Sequence, residues 1–367
     1  MTPLHDLTKL GQSIWIDHLS RAALRGGELA RMIEQDAVVG VTSNPTIFEQ
    51  AMATGDAYES QLRELLDAGV QGTAEIFWAL AQRDVQEACD LLAPVWERSG
   101  CLDGWVSLEV DPALAYDAAG TLAEATRLRA EVDRPNLMIK IPATEPGLAA
   151  FEDAIAAGMS VNVTLIFSLA RYVEVAEAYL RGLERLLEAG ADPGTVASVA
   201  SFFISRIDLE TDRRLEAIGD PRGLRGRLAI ANAKLAYQHF MSVLVGLRWR
   251  ALAAQGAMPQ RLLWASTSTK DPAYPATRYV DELAGPNTVN TMPVATLSAY
   301  REQGHPEARL EHELTDAGGF IGQLARAGVD YDDVTATLER DGVTRFVESF
   351  RNVLASLEGR IAAAATA

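Results

Sequence analysis

Residues 137–142 read Leu-Met-Ile-Lys-Ile-Pro, a short apolar run with one lysine inside it. A continuously apolar run of this length is typical of a strand in a parallel sheet, where both faces are buried. Seven further short runs flanked by turn residues lie on either side of it: 13–17, 38–43, 105–110, 161–167, 196–201, 262–266 and 288–292. We therefore expect 137–142 to be the fourth of eight parallel strands.

The segments between these runs have helical periodicity. The clearest helical segments are 113–131, 169–188, 224–247 and 272–283. Asp-Pro pairs at 111–112 and 271–272 resemble a helix N-cap followed by proline, and Ala189-Gly190 resembles a helix end. Eight alternating strand and helix units predict a (β/α)₈ TIM barrel with additional helices.

The alternative architecture is an open, doubly wound sheet. Such sheets often carry a GxGxxG or GxxxxGK[ST] turn between a strand and a helix, and the sequence contains neither. The pair Gly26-Gly27 follows a helix-like segment instead of a strand. These observations favour the closed barrel.

The chain organisation predicts a single domain over 1–367. A length of 367 residues fits one barrel with insertions, and no fixed repeat or Pro/Gly/Ser-rich linker divides the chain. Residues 54–102 are too many for one loop, so we expect two or three helices there. Further helices are expected over 296–357, with 361–367 as a frayed tail.

Composition and charge restrict the classes of partner. The net charge of −17 produces a surface that repels phosphate backbones, which argues against a nucleic-acid partner. The apolar runs are shorter than the roughly 18 residues of a membrane span, and the first ten residues do not resemble an export signal. We therefore expect a cytoplasmic protein without a membrane partner.

Metal and thiol chemistry are not indicated. The two cysteines, Cys89 and Cys101, have no ligand spacing, and the five histidines include no HExxH pair. An anionic small substrate would need isolated basic groups within a concave site of this acidic protein. A site for such a substrate is therefore expected among polar and basic residues at the strand ends.

A barrel enzyme builds its active site from the C-terminal ends of its strands. The polar residues expected at this end are Asp17, Thr42, Asn44, Glu109, Lys140, Asn162, Thr164, Ser201, Ser266, Asn290 and Thr291.

Lys140 is the most informative of them because it lies inside an apolar strand. Burial disfavours the ammonium form and makes the neutral amine available for attack on a carbonyl. The alternative is a lysine at the strand end whose ammonium reaches solvent.

Two carboxylates are expected beside this lysine. Asp17 and Glu109 could act as a general acid/base and as a group that orients water. Each could instead be a structural partner of the lysine. Asn162 and Thr164 could likewise be ordinary strand residues, since threonine is favoured in sheets.

Two segments resemble the signature segments of the transaldolase family. Residues 40–48 read Gly-Val-Thr-Ser-Asn-Pro-Thr-Ile-Phe, and residues 137–148 read Leu-Met-Ile-Lys-Ile-Pro-Ala-Thr-Glu-Pro-Gly-Leu. The resemblance extends in the same order from about residue 15 to residue 292, through 107–111, 162–168 and 201–206.

This resemblance implies an α/β barrel that transfers dihydroxyacetone between sugar phosphates in the non-oxidative pentose phosphate pathway, without metal or organic cofactor. By the resemblance Lys140 corresponds to the Schiff-base lysine and Asp17 to the general acid/base. Glu109 and Thr164 correspond to the pair that holds the catalytic water. The residues that correspond to groups binding donor hydroxyls are Asn44, Asn162 and Ser201, and Arg206 corresponds to a phosphate-binding arginine.

The sequence departs from the family at the phosphate site. Many members have Ala-Ser-Phe-Arg after the seventh strand, whereas residues 265–270 read Ala-Ser-Thr-Ser-Thr-Lys. Ser266 is expected to keep its role. Lys270 either supplies the missing positive charge or is a solvated loop lysine.

Two other functions compete with transfer. Related fructose 6-phosphate aldolases release dihydroxyacetone, but they carry Gln where Glu109 stands and Tyr where Phe203 stands. A non-enzymatic sugar-phosphate-binding barrel would not need a buried nucleophile such as Lys140. The expected partners are therefore sugar-phosphate substrates, and the protein is expected to be a monomer or a homodimer.

Overall fold

The barrel is closed and all of its strands are parallel. A computed structural model describes residues 2–53, 55–220, 222–312 and 314–364. Each strand pairs with the next along the chain, and β1 pairs with β8. This closure confirms the (β/α)₈ barrel and excludes the open sheet. The strands are β1 (Gln12–Ile16), β2 (Val38–Thr42), β3 (Trp105–Glu109), β4 (Leu137–Pro142), β5 (Val161–Ile166), β6 (Ser198–Phe203), β7 (Arg261–Ala265) and β8 (Thr288–Met292).

All eight predicted strands are present, with small differences at their ends. Strand β6 begins at Ser198 instead of residue 196, because the Val196 N–H still donates to the Pro193 carbonyl of the preceding 3₁₀ turn, Pro193–Thr195, at 3.3 Å. It also continues to Phe203, two residues beyond the predicted end. Asp17 lies just outside β1, although its N–H still donates to the Met292 carbonyl at 2.8 Å.

Sixteen α-helices occur in the described ranges. They are α1 (Pro3–Lys9), α2 (Arg21–Arg25), α3 (Glu28–Gln35), α4 (Pro45–Ala53), α5 (Glu59–Asp67), α6 (Thr73–Arg98), α7 (Ala118–Val132), α8 (Glu145–Ala156), α9 (Leu169–Glu188), α10 (Ser205–Ala217), α11 (Leu228–Val245), α12 (Leu247–Ala253), α13 (Arg278–Glu282), α14 (Val294–Gln303), α15 (Leu314–Ala327) and α16 (Tyr331–Ala364).

Helix α9 matches its prediction, but three predicted helices have different limits. The segment 113–131 is divided into a 3₁₀ turn, Pro112–Leu114, and α7, because the Asp117 side chain caps α7 by accepting from the Gly120 N–H. The segment 224–247 begins later, at Leu228, and ends at Val245 before Gly246.

The segment 272–283 forms a helix only at α13. Asp271 does not cap a helix; its side chain accepts from the Ala273 N–H at 2.9 Å within a turn. Pro275 disfavours helical backbone at the residue before it, so the helix begins after it. At the end of α9, Gly190 has φ +80°, which agrees with the predicted helix stop.

The extra helices lie where the sequence predicted them. Helices α5 and α6 lie within 55–102, and α14, α15 and α16 lie within 294–364. The predicted frayed tail is wrong for 361–364, which belong to α16, and 365–367 lie outside the described residues. Helix α16 packs against α4 and α10, close to the C-terminal ends of the strands.

Large and charged side chains close the barrel at the N-terminal ends of the strands. Trp15 lies against Gly40, where a Cβ atom would be 2.5 Å from the indole ring, so only glycine fits. Arg261, the first residue of β7, donates to Ser13 Oγ at 2.8 Å and to Asp103 Oδ1 at 2.9 Å. An open cavity is therefore found at the opposite end.

Candidate active site

Lys140 is buried at the centre of the C-terminal end of the barrel. Its side chain is 5% exposed, and its Nζ donates to Glu109 Oε2 at 3.0 Å and to the Ser43 carbonyl at 3.1 Å. The ring of Phe346 lies 5.5 Å from Nζ. Such burial is inconsistent with a lysine that reaches solvent.

Glu109 is the direct partner of Lys140, because β3 and β4 align the two residues side by side. Burial raises the pKa of Glu109, and the nearby Asp17 carboxylate raises it further, while the Lys140 charge acts in the opposite direction. Attack on a carbonyl requires a neutral amine. Glu109 lies where it can accept the proton that Lys140 must lose.

Asp17 lies beside this pair and is oriented by two threonines. Thr42 Oγ1 donates to Asp17 Oδ1 at 2.7 Å. Because a hydroxyl has one proton, Thr42 accepts from Thr291, whose Oγ1 is 2.7 Å away. Burial raises the pKa of Asp17, whereas Lys140, Thr42 and Arg206 act in the opposite direction. The carboxylate is therefore held in one orientation and disposed to take up a proton.

Asn162 and Ser201 form a hydrogen-bonded row with Ser107. Asn162 Nδ2 donates to Ser107 Oγ at 3.0 Å, and Ser201 Oγ donates to Asn162 Oδ1 at 2.6 Å. Sequence reasoning missed the contact made by Ser107, although that residue lies within one of the matching segments. The Asn162 amide is therefore oriented by partners on both sides.

Thr164 differs from these residues because its hydroxyl is unsatisfied. Its Oγ1 is buried without a hydrogen-bond partner among the described residues. Strand β5 is irregular after Thr164: Leu165 has φ +61°, and the pairing with β6 shifts before Ile166. An unpartnered buried hydroxyl next to a cavity is suited to a polar ligand or a water molecule.

The basic residues lie at one side of the site. Arg206 follows β6, and its guanidinium is 5.6 Å from the Phe203 ring. Ser266 Oγ is 3.0 Å from Ser205 Oγ, and Lys270 Nζ donates to Ser268 Oγ at 2.7 Å. Burial lowers the pKa of Lys270, and the Arg206 charge adds to that effect. Lys270 thus faces the cavity beside Arg206, although much of its side chain is exposed.

These residues surround a cavity of about 250 Å³. Glu109 and Asn162 do not line the cavity directly. Glu109 is bonded to Lys140 and Asn162 is bonded to Ser201, and both of these partners line it. Ten of the predicted residues line it directly: Asp17, Thr42, Asn44, Lys140, Thr164, Ser201, Arg206, Ser266, Lys270 and Thr291.

Comparison with known proteins decides the family. The family model described as transaldolase/fructose-6-phosphate aldolase matches residues 14–357. This chain belongs to that family. It is 50% identical over 367 residues to a transaldolase of Frankia alni, with 99% of each chain covered. It is also 50% identical over 365 residues to a transaldolase of Thermobifida fusca, again with 99% of each covered. The predicted family membership is therefore confirmed.

Asn290 does not line the cavity and makes its hydrogen bonds elsewhere. Asn290 Oδ1 accepts from Thr267 Oγ1 at 3.0 Å, and its Nδ2 donates to Gln12 Oε1 at 3.4 Å. Successive strand residues point to opposite faces. Thr291 lines the cavity, so Asn290 points to the opposite face of β8 and does not contribute to the cavity wall, although it lies at the expected end of the strand.

Asn44 lies at the cavity and directly precedes α4. Its Oδ1 accepts from the Ile47 N–H at 3.0 Å, and this bond fixes the orientation of the amide. Thr46, Ile47 and Gln50 of the same helix extend the cavity wall. The matching segment 40–48 included two of these residues without indicating that they face the site.

The C-terminal helix contributes a residue that the sequence did not indicate. Phe346 of α16 is buried, lines the cavity and covers Lys140. It lies more than 200 residues from Lys140 in the sequence, and no periodic or local pattern distinguishes it from a core phenylalanine. The family resemblance ended before this helix.

Neither a metal cluster nor a disulfide occurs within the described residues. Histidine, cysteine and acidic side chains there form no group of three or more suited to a metal ion. Cys89 is buried and free, and Cys101 is partly buried and free. In the same ranges, every helix is too short or too polar to cross a bilayer.

Proposed function

We propose that this protein is a transaldolase that uses Lys140 as its Schiff-base nucleophile. It would transfer a dihydroxyacetone unit from fructose 6-phosphate or sedoheptulose 7-phosphate to erythrose 4-phosphate or glyceraldehyde 3-phosphate, in the non-oxidative pentose phosphate pathway. The observation that carries this proposal is the buried Lys140 amine bonded to Glu109, within a cavity that also contains Asp17. The similarity to the transaldolases of Frankia alni and Thermobifida fusca supports it.

In the first step the Lys140 amine attacks the C2 carbonyl of the ketose phosphate. The carbinolamine then loses water and becomes an iminium. Glu109 accepts the proton released by the amine, and the unpartnered hydroxyl of Thr164 together with Glu109 holds the water molecule. The positive iminium then withdraws electrons from the neighbouring C3–C4 bond.

In the second step Asp17 removes the proton of the C4 hydroxyl. The C3–C4 bond breaks, its electron pair moves into the iminium, and the aldose phosphate leaves with an aldehyde at the former C4. The three-carbon fragment stays on Lys140 as an enamine. Asp17 suits this role because Thr42 orients its carboxylate and its raised pKa strengthens it as a base.

Transfer is the reverse of cleavage with a different aldehyde. The enamine carbon attacks the aldehyde carbon of the acceptor, Asp17 returns its proton to the new hydroxyl, and water hydrolyses the iminium to release the new ketose phosphate. Asn44, Asn162 and Ser201 would bind the hydroxyls of the donor. Arg206, Ser266 and Lys270 would bind the phosphate.

Transfer is favoured over simple release of dihydroxyacetone by two residues of the site. Glu109 and Phe203 stand where the related aldolases carry Gln and Tyr. Release also requires water to reach the enamine, and Phe346 covers Lys140 on the side of α16. The three-carbon enamine on Lys140 is therefore retained in a partly closed cavity until an acceptor binds.

The remaining assignments follow from this function. We infer one domain over 1–367, a cytoplasmic enzyme that is a monomer or a homodimer, and catalysis without metal or organic cofactor. The net charge of −17 supports sugar phosphates held by local cations over a nucleic-acid partner.

A coupled assay for glyceraldehyde 3-phosphate, formed from fructose 6-phosphate and erythrose 4-phosphate, tests the function. No activity in the complete assay would contradict it. Product formed equally fast without erythrose 4-phosphate would identify an aldolase instead.

Borohydride trapping tests the nucleophile. Fructose 6-phosphate plus borohydride should attach a reduced three-carbon adduct to Lys140, and Lys140→Ala should abolish adduct and turnover. The chain has only three other lysines, Lys9, Lys234 and Lys270, so peptide mass spectrometry assigns the adduct without ambiguity. Lys234 is the matched comparison because it is also buried, with Nζ bonded to the His312 carbonyl at 2.8 Å. An adduct at Lys234 would refute the assignment.

A further inference from the structure

A second cavity adjoins the active site on the side of its basic residues. This side cavity has a volume of about 650 Å³ and shares Arg206 and Lys270 with the active-site cavity. Its wall includes Leu338, Asp341 and Arg345 of α16. The two cavities therefore meet at the proposed phosphate position, and the C-terminal helix borders both.

The cations around the side cavity fall into two groups. Arg213 pairs with Glu210 at 2.7 Å, and Arg225 pairs with Glu216 at 2.9 Å. The other three, Arg206, Lys270 and Arg345, form no ion pair within 4.0 Å with any described carboxylate.

Arg206 lies on the same cavity wall as Arg345 and Lys270, and its charge interacts unfavourably with each of them. The pKa of Arg206 is lowered by burial and further by the charge of Arg345, and Arg206 in turn lowers the pKa of Lys270. Six carboxylates line the same cavity, but five of them, Asp208, Glu210, Asp212, Glu216 and Asp271, are already bonded to other groups. In a protein with a net charge of −17, cations that are left without a carboxylate partner at such a cavity indicate a site for an anion. The repulsion is relieved when the anion binds.

We propose that Arg345 is a third phosphate-binding cation, which acts with Arg206 and Lys270 on the phosphate monoester of the substrate. The inference rests on the transaldolase function proposed above. It explains how the phosphate can be held although Ser268 occupies the position of the family's second arginine. The missing charge is supplied by α16 as well as by the loop after β7.

The packing of α16 fixes Arg345 at this place. Phe346, the next residue, lines the active-site cavity and covers Lys140. Gly342 lies about one turn earlier against β5, where a Cβ atom would be 3.0 Å from Leu165 Cδ2. Contacts on both sides of Arg345 therefore hold the helix against the site. These contacts fix the backbone position of Arg345.

The test replaces Arg345 and compares phosphorylated with unphosphorylated ligands. Arg345→Gln should raise KM for fructose 6-phosphate about tenfold, because a hydrogen bond to a charged group is lost, and change kcat little. Inorganic phosphate should inhibit the variant correspondingly less. Arg345→Lys keeps the charge and should recover part of the loss.

Arg351→Gln is the matched control. Arg351 is exposed on the same helix and does not line either cavity. This variant should retain the KM and the inhibition constant of the wild type.

Two further measurements separate this inference from the proposed function. Borohydride should trap unphosphorylated dihydroxyacetone on Lys140 equally well in the wild type and in Arg345→Gln, since no phosphate is involved. Titration calorimetry with inorganic phosphate reports the anion site without turnover, so it remains informative even if the wild type does not transfer dihydroxyacetone. Unchanged phosphate affinity and unchanged KM in Arg345→Gln would overturn the inference.

Discussion

Lys140 and Asp17 face the same cavity but have different hydrogen-bond partners, which suits them to different proton transfers. Lys140 is bonded to Glu109, whereas Asp17 accepts from Thr42, which is bonded in turn to Thr291. Imine formation and C–C cleavage are separate steps, so the two residues can be tested separately.

Asp17→Asn should permit imine formation and prevent cleavage. The amide keeps the shape of the side chain but cannot take the C4 hydroxyl proton, so turnover should fall by ~10²–10⁴-fold. Borohydride with fructose 6-phosphate should then trap the whole hexose phosphate on Lys140, while the wild type traps chiefly the three-carbon fragment. Intact-protein mass distinguishes the two adducts.

The pH profile provides a second measurement of Asp17. Because burial raises its pKa, the carboxyl becomes protonated, and the wild-type rate falls, at a pH above the ordinary range for aspartate. Asp17→Asn should lose this acidic limb from its residual activity. Asp117→Asn, which preserves the N-cap of α7, should behave as the wild type. A three-carbon adduct formed by Asp17→Asn at the wild-type rate would instead make Glu109 the candidate base.

Helix α16 connects the periphery of the barrel with its active site. The helix packs against α4, which follows Asn44 directly, and against α10, which contains Arg206. Its side chain Phe346 reaches Lys140 from the outside of the barrel. This added element therefore forms part of the active-site wall.

Phe346→Ala should increase hydrolysis relative to transfer. Removing the ring opens the cover over Lys140, so water can reach the enamine before an acceptor arrives. Release of dihydroxyacetone in the absence of erythrose 4-phosphate should rise, while Phe346→Leu should retain most of the cover and most of the wild-type ratio. The alanine variant should also lose about 3–5 kcal/mol of stability, as is typical of a buried phenylalanine. An unchanged ratio would show that Phe346 serves only packing.

The two ends of the barrel differ in structure. The candidate catalytic residues line a cavity at the C-terminal ends of the strands, whereas Arg261 forms hydrogen bonds at the N-terminal ends. Arg261 links β7 to Ser13 in β1 and to Asp103 just before β3, across the interior of the barrel. It therefore connects strands that are not neighbours in the sheet.

Arg261→Ala should reduce stability without changing the chemistry. It leaves Asp103, whose side chain is 14% exposed, without its ion-pair partner, which we expect to cost about 3 kcal/mol. Urea unfolding measures the loss, and the double variant with Asp103→Ala should recover part of it. KM and kcat of the folded enzyme should match the wild type. A variant of wild-type stability would mean that the pair contributes nothing to barrel closure.

The sequence by itself determined the barrel and most of the active-site wall. Each strand could be identified from a short apolar run, since this pattern depends only on residues close in the chain. A parallel barrel brings the C-terminal ends of all its strands together, so Lys140, Asp17 and Glu109 could be placed near one another before any distance was known. The family resemblance supplied their proposed roles.

Tertiary structure decided the direction of side chains and the contribution of distant elements. Asn290 and Thr291 are both polar and adjacent, and only the three-dimensional structure shows that Thr291 lines the cavity while Asn290 bonds to Thr267 and Gln12. Phe346 reaches the active-site cavity and Arg345 reaches the adjoining side cavity because α16 packs back onto the barrel, and both residues lie more than 200 positions from Lys140. Local patterns fix elements, but contacts across such separations depend on how the completed elements pack, which sequence periodicity does not encode.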